Sequence, residues 1–164
     1  MPVHIQDKVI SATHIAKTLY HRLVLLVGES GSGKTAVLRA VAEKLGVEVI
    51  NVNLVLSAPM LEMTVKQRTV RVPALLEQAV ENFPDIVILD NIEILFDKEL
   101  RQDPLRMLQG ISRNRSVLAS WNGTWTRANL IYATPGHPEH RSYDVGDTLV
   151  VGMDGTLSFD IQTK

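Results

Sequence analysis

The sequence predicts a single α/β domain with a doubly wound, mainly parallel sheet and helices on both faces. Short, wholly apolar runs at Leu23 to Val27 and Ile86 to Leu89 suit strands covered on both sides, and helix-periodic segments lie between them. Size agrees, since 164 residues that are 45% hydrophobic and 21% charged make one globular core, not a disordered or fibrous chain.

From the start of the chain, Asp7 to Tyr20 carries Val9, Ala12, Ala16, Leu19 and Tyr20 at three- and four-residue spacing, which predicts an amphipathic helix. The strand Leu23 to Val27 follows and closes at Gly28. Thr35 to Leu45 reads as a helix with Val37, Ala40 and Val41 on its apolar face and Gly46 as its stop. Val47 to Leu54 alternates apolar residues with Asn51 and Asn53 and reads as a second strand. Pro73 fits the start of a helix striped by Leu75, Leu76, Ala79 and Val80. Beyond the third strand, which ends in Asp90, Asp103 as N-cap and Pro104 at the first helical position open a helix running to Ile111. Ser116 to Ser120 and Asn129 to Ala133 are predicted as the fourth and fifth strands. Thr148 to Val151 and Thr156 to Phe159 flank Met153-Asp154-Gly155 as a β-hairpin, giving a tail over residues 144–164 of a domain spanning 1–164.

Seventeen Lys and Arg against 18 Asp and Glu leave a net charge of -1, so no overall basic field draws in nucleic acid, and any DNA contact has to be local. The absence of Cys removes disulfides, thiolate metal sites and a Cys nucleophile, and suits a reducing compartment. No apolar run approaches the ~18 residues that span a bilayer. The expectation is a soluble, cytoplasmic protein without a membrane partner.

Gly28-Glu29-Ser30-Gly31-Ser32-Gly33-Lys34-Thr35 fits G-x-x-x-x-G-K-[ST] and stands directly between a buried strand and a helix. In such a loop backbone N–H groups wrap phosphates, Lys34 reaches the β- and γ-phosphates, and the Thr35 hydroxyl ligates Mg²⁺. The fold class narrows to a P-loop NTPase, with ATP and Mg²⁺ as expected cofactors. No guanine-reading N-K-x-D motif follows.

Asp90, at the tip of its strand, is the expected second support of the metal. Brisk ATPases place Glu next to this Asp, but here Asn91 follows, and an amide accepts no proton. Glu93 is the best remaining base for activating water, unless it is a solvated glutamate favoured by a helix dipole. Ser120 and Asn122 stand where a sensor of the γ-phosphate belongs, or are turn residues beside Gly123. Arg113, Arg115 and Arg127 are the candidates for an arginine finger offered to a neighbouring subunit, or are solubilising charges. Met60, Leu61, Met63 and Val65, followed by Lys66, Arg68 and Arg71, make either a partner surface or a helix packed on the sheet with an exposed basic side.

Several stretches together resemble the BrxF family, the small P-loop proteins of type 3 bacteriophage-exclusion (BREX) systems. They are the phosphate loop, Val52-Asn53-Leu54, the run Leu89 to Phe96, Gln102 to Leu105, Leu108-Gln109-Gly110, Ser112 to Arg115 and Thr134-Pro135-Gly136-His137-Pro138-Glu139. The resemblance covers residues 20–143. It implies an antiviral role in a bacterium beside a methyltransferase, a helicase, an alkaline-phosphatase-like protein and a large ATPase. It also implies an AAA+-like core, a class whose members work as rings. The pattern departs from that core after the expected fifth strand, where residues 134–164 are too few for the usual helical lid and the hairpin stands instead.

The reading that follows is an ATP-binding, weakly hydrolysing AAA+-like module of BREX defence. Lys34, Asp90 and Glu93 would act in catalysis, and nucleotide state would control homo-oligomerisation and assembly with other BREX components. Two alternatives stay open: a nucleotide-gated binding switch without turnover, and a small-molecule kinase using Arg127, Arg141, His137 and His140.

Overall fold

The computed structural model describes residues 2–83, 85–126, 129–133 and 136–159. Along them run α1 (Pro2–Ala16), β1 (Leu23–Gly28), α2 (Lys34–Leu45), β2 (Val49–Asn51), α3 (Val52–Met60), α4 (Val65–Val80) and β3 (Ile86–Asp90). Two 3-10 turns (Ile92–Phe96 and Lys98–Leu100) lead to α5 (Pro104–Ile111), β4 (Ser116–Trp125), β5 (Asn129–Tyr132), β6 (Arg141–Asp144) and β7 (Leu149–Gly152).

Five strands form a parallel sheet in the order β2-β3-β4-β1-β7. Side chains alternate across it, as strand geometry requires. Leu23, Leu25 and Val27 of β1 pack with Leu56, Leu76 and Leu108 of α3, α4 and α5, while Val24 and Leu26 pack with Val9, Leu38 and Val41 of α1 and α2. Both faces are covered, which is why Leu23 to Val27 of β1 and Ile86 to Leu89 of β3 are apolar at every position.

The structure departs from the sequence reading at four places, each for a local reason. Helix α1 starts at Pro2 and stops at Ala16, so Leu19 and Tyr20 lie in the turn before β1, and Tyr20 is exposed with the Arg113 guanidinium 5.1 Å from its ring centroid. The second strand is only Val49–Asn51, because the Asn51 side chain accepts the Leu54 N–H at 3.1 Å and caps α3.

Pro73 lies inside α4, not at its start. Thr64 begins that helix with a reciprocal capping box to Gln67. Proline cannot return a hydrogen bond to the Thr69 carbonyl four residues back. Gln102 Nε2 donates to that carbonyl instead, at 2.7 Å, and to the Leu100 carbonyl at 2.8 Å.

The fifth strand of the parallel sheet is β7, not Asn129–Ala133. Strand β4 runs on past the carboxyl end of the parallel sheet, and β5 pairs antiparallel with that extension while β6 pairs with β5. Gly123 permits this, since a Cβ there would collide with the Ile131 carbonyl. The expected hairpin turn closes through Gly152 N–H to the Thr156 carbonyl at 2.8 Å and a single bridge of Val151 with Leu157, but its first arm belongs to the main sheet.

Replacing Gln102 with Ala leaves two half-buried carbonyls without this donor and should lower unfolding free energy by about 1 kcal/mol in denaturant titrations. Adding Pro73→Ala to that variant should recover part of the loss, because residue 73 then offers the Thr69 carbonyl an N–H. Additive losses would show that Gln102 does not stand in for the missing helical bond.

Candidate functional site

Strand β1 ends at Gly28 in the middle of the sheet, and the following loop turns straight into α2. Gly31 and Gly33 hold φ of 81° and 98°, a left-handed conformation that side-chain-bearing residues rarely adopt. Gly33 is the N-cap of α2 and supplies no side-chain bond, so the N–H groups of the first helical turn stay open to an anion. Gly28 is needed for a different reason, since a Cβ there would meet Ser32 Oγ at 2.6 Å and Met153 Cγ at 2.7 Å. Met153 itself donates its N–H to the Val27 carbonyl at 2.8 Å, so the turn after β7 buttresses the loop.

Lys34 is 6% exposed, and its ammonium donates to the carbonyls of Gly28 and Glu29 at 2.8 and 2.7 Å. Among the described residues no carboxylate pairs with it. Burial holds its pKa below the ordinary 10.5, while the charges of Asp90, Glu93 and Glu29 pull it back up. A buried cation lacking an ion pair, beneath an open helix N-terminus, is chemically suited to an anion with several oxygens.

Across the cleft, Asp90 is also 6% exposed and saturated with donors. Its Oδ2 accepts the Thr35 hydroxyl at 2.7 Å, and its Oδ1 accepts the Ser120 hydroxyl at 2.7 Å and the Asn91 N–H at 2.9 Å. Asn91 itself takes φ 55°, so the chain turns sharply just after the carboxylate. Thr35 and Asp90 fit Mg²⁺, a cation commonly held by one or two protein oxygens plus the phosphates of its substrate.

Between these groups lies a cleft of about 470 Å³ whose walls include Lys34, Thr35, Asp90, Asn91, Glu93, Ser120 and Asn122. Ser30, Gly31 and Gly33 line it too, while Gly28, Glu29 and Ser32 line a second cleft of about 400 Å³ on the other side of the loop. Glu93 sits in the first turn after Asn91. Burial, with Glu93 and Glu139 nearby, pushes the Tyr132 phenol above its ordinary value.

Neither Arg113 nor Arg115 lines this cleft of its own chain. Arg115 is buried, its Nη1 donating to the Ile111 carbonyl at 3.0 Å and lying 3.6 Å from Glu77, so its guanidinium braces α5 against α4 within the chain. Arg113 is exposed beside Tyr20 just before β4, at the end of the parallel sheet away from the loop. Arg127, like Thr134 and Pro135, lies outside the described residues. Sequence reasoning missed Arg39, which lines the cleft; its spacing of four from Thr35, on one face of α2, was the available signal.

A family model for the "ATPase family associated with various cellular activities (AAA)" matches residues 24–119, spanning β1 to β4. The chain belongs to the AAA family. Its fold is the AAA-type P-loop NTPase fold, a parallel sheet flanked by helices, and it carries an AAA ATPase-like nucleotide-binding domain. Similar proteins include the ATP-dependent zinc metalloprotease FtsH of Methylococcus capsulatus, 39% identical over 72 residues, and FtsH of Synechococcus sp., 43% identical over 72 residues. Each alignment takes in 44% of this chain but only 11% of the relative. Among solved structures, C. elegans PCH-2 is similar at 20% identity and a TM-score of 0.47, over 74% of this chain and 37% of that one. Katanin is similar at 22% identity and a TM-score of 0.41, over 72% and 42%. Among the described residues no helix is long and apolar enough to cross a membrane.

An anion against Lys34 offsets its desolvation and raises its pKa, so binding takes up protons wherever the free ammonium has begun to titrate. Affinity for ATP in EDTA should therefore fall as pH rises toward 10.5, and Lys34→Arg should remove that fall because guanidinium does not titrate there. Equilibrium binding across the alkaline range checks it; an equal decline in both proteins would assign the effect elsewhere.

Proposed function

We propose that this chain is an ATP- and Mg²⁺-binding AAA module that hydrolyses slowly and uses its nucleotide state to control self-association and assembly with other components of a BREX-type antiviral system, with DNA as a further partner. The observation that carries the nucleotide part is the buried Lys34 ammonium, whose partners among the described residues are carbonyl and hydroxyl oxygens, beneath the uncapped start of α2. Similarity to the ATP-dependent metalloprotease FtsH supports adenine over guanine nucleotide. The BREX part rests on the resemblance carried by Asp90-Asn91-Ile92-Glu93 and Thr134-Pro135-Gly136-His137-Pro138-Glu139.

In this reading Lys34 and the first N–H groups of α2 hold the phosphates, and Thr35 with Asp90 holds Mg²⁺. The metal, when bound, supplies charge that stabilises the departing phosphate oxygens. Glu93 takes the proton of the attacking water, a task Asn91 cannot perform, and its place one turn beyond the usual position supports slow turnover. The same Asn91 favours a second reading, a nucleotide-gated switch without turnover.

Light scattering of the full chain with and without ATP and Mg²⁺, with ADP release followed in the same samples, tests the proposal. The wild type should grow in molar mass with nucleotide and release ADP slowly. Lys34→Ala should do neither, and Glu93→Gln should keep the growth but lose ADP release by roughly 100-fold or more. Growth without any ADP would select the switch, and a monomer in every condition would remove nucleotide-controlled self-association.

A further inference from the structure

Two polar side chains of β4 reach the cleft, Ser120 and Asn122, and they stand at different depths. Parallel pairing sets Ser120 beside Leu26, within the sheet, and Asn122 beside Gly28, where the phosphate loop begins. The pairing of Leu89 with Ala119, carried one residue on, sets Ser120 opposite Asp90 at the end of the β3–β4 ladder, with both side chains on the α2 face. Ser120 is 4% exposed, and a serine hydroxyl has one proton to give. That proton goes to Asp90 Oδ1 at 2.7 Å.

We propose that Ser120 is a positioning residue of the metal site, fixing the Asp90 carboxylate for a divalent cation, and that it does not read the γ-phosphate. The inference rests on the ATP–Mg²⁺ reading above but assigns a role which that reading leaves open. The terminal torsion of an aspartate is soft and broad, so its oxygens point where their partners hold them. Oδ2 is the oxygen nearest Thr35, the other metal-holding group, and it faces the cleft only while Oδ1 is pinned from behind. The Asn91 N–H alone comes from the adjoining residue and follows the turn after Asp90. Ser120 belongs to another strand and ties the carboxylate to the rigid centre of the sheet. Outer partners of metal ligands commonly account for tenfold or more in metal affinity when removed. Asn122, at the height of the loop, is left as the β4 side chain free to meet phosphate oxygens.

The test is equilibrium binding of the fluorescent analogue mant-ATP to the full chain, once in excess Mg²⁺ and once in EDTA, for the wild type, Ser120→Ala, Ser120→Cys and Asn122→Ala. In EDTA, Ser120→Ala should bind as the wild type does, because Lys34 and α2 are untouched. In Mg²⁺ it should lose roughly tenfold. Ser120→Cys, which keeps nearly the same volume with a weak donor, should give the same split to a smaller degree. Asn122→Ala should keep the wild-type ratio of the two affinities. Equal losses with and without Mg²⁺ in Ser120→Ala, or no loss in either, would overturn the inference while leaving the nucleotide reading intact. A wild type that binds mant-ATP in neither condition would overturn both.

Discussion

Lys34 carries a positive charge out of water with carbonyl and hydroxyl oxygens as its partners, and the arrangement of the sheet end depends on keeping it there. Those carbonyls are available because Gly28 and Glu29 leave β1 in a loop that bends back over the ammonium. That loop is stable in turn only because β1 is pinned on both sides, by β4 and by β7. Asp90, Glu93 and Glu29 lie near enough to raise the pKa that burial lowers, without forming a contact pair. An unpaired buried charge costs several kcal/mol in free energy. The fold sustains that cost through the large apolar core on both faces of the sheet, and an anion would relieve it.

The opposite wall of the cleft is fixed by aromatic packing. Phe96, at the end of the turn that carries Glu93, stacks on Tyr132 with ring centroids 3.4 Å apart and planes within 4°. Trp121 meets both rings edge-on. The edge-on contacts add about 0.5–1.5 kcal/mol each beyond buried area. The antiparallel β5–β6 extension thereby clamps the segment after Asp90, and Arg141 of β6 reaches the Gln102 carbonyl at 2.7 Å, joining the clamp to the residue that repairs α4 at Pro73. Movement of Asn91 or Glu93 would have to disturb this cluster.

What was legible in the sequence follows from how local its cause is. The run Leu23 to Gly28, the phosphate loop and α2 are specified by consecutive residues, and the structure brings Lys34, Thr35, Asp90, Glu93, Ser120 and Asn122 to one cleft. Asp103-Pro104 opens α5 through a cap bond that needs no distant partner. Pro73 misled because its tolerance depends on Gln102, far along the chain. Asn51 misled because it alternates correctly for a strand while its side chain caps a helix. The fifth strand was assigned to Asn129–Ala133, yet the alternating burial of β5 is that of a ribbon with one covered face. Leu149 to Gly152, buried throughout, carries the mark of a parallel strand covered on both faces, and reading it as a hairpin arm hides that. Arg115 reads as a free charge until Glu77 and the Ile111 carbonyl are seen beside it.

Asn91 ties the backbone to the chemistry. Its N–H donates to Asp90 Oδ1, and its left-handed conformation turns its carbonyl to the Asn53 N–H, 3.1 Å away, so one residue secures both the acid and the start of α3. Asparagine visits that conformation readily, whereas most residues lose about 1–2 kcal/mol in it. A glutamate at this position would gain a carboxylate for water activation and strain the turn that carries its carbonyl to α3. With asparagine there the turn is relaxed, and the carboxylate available for water activation is left to Glu93, held in a turn that Phe96 anchors. The backbone requirement at position 91 and the place of Glu93 are therefore two consequences of the same turn.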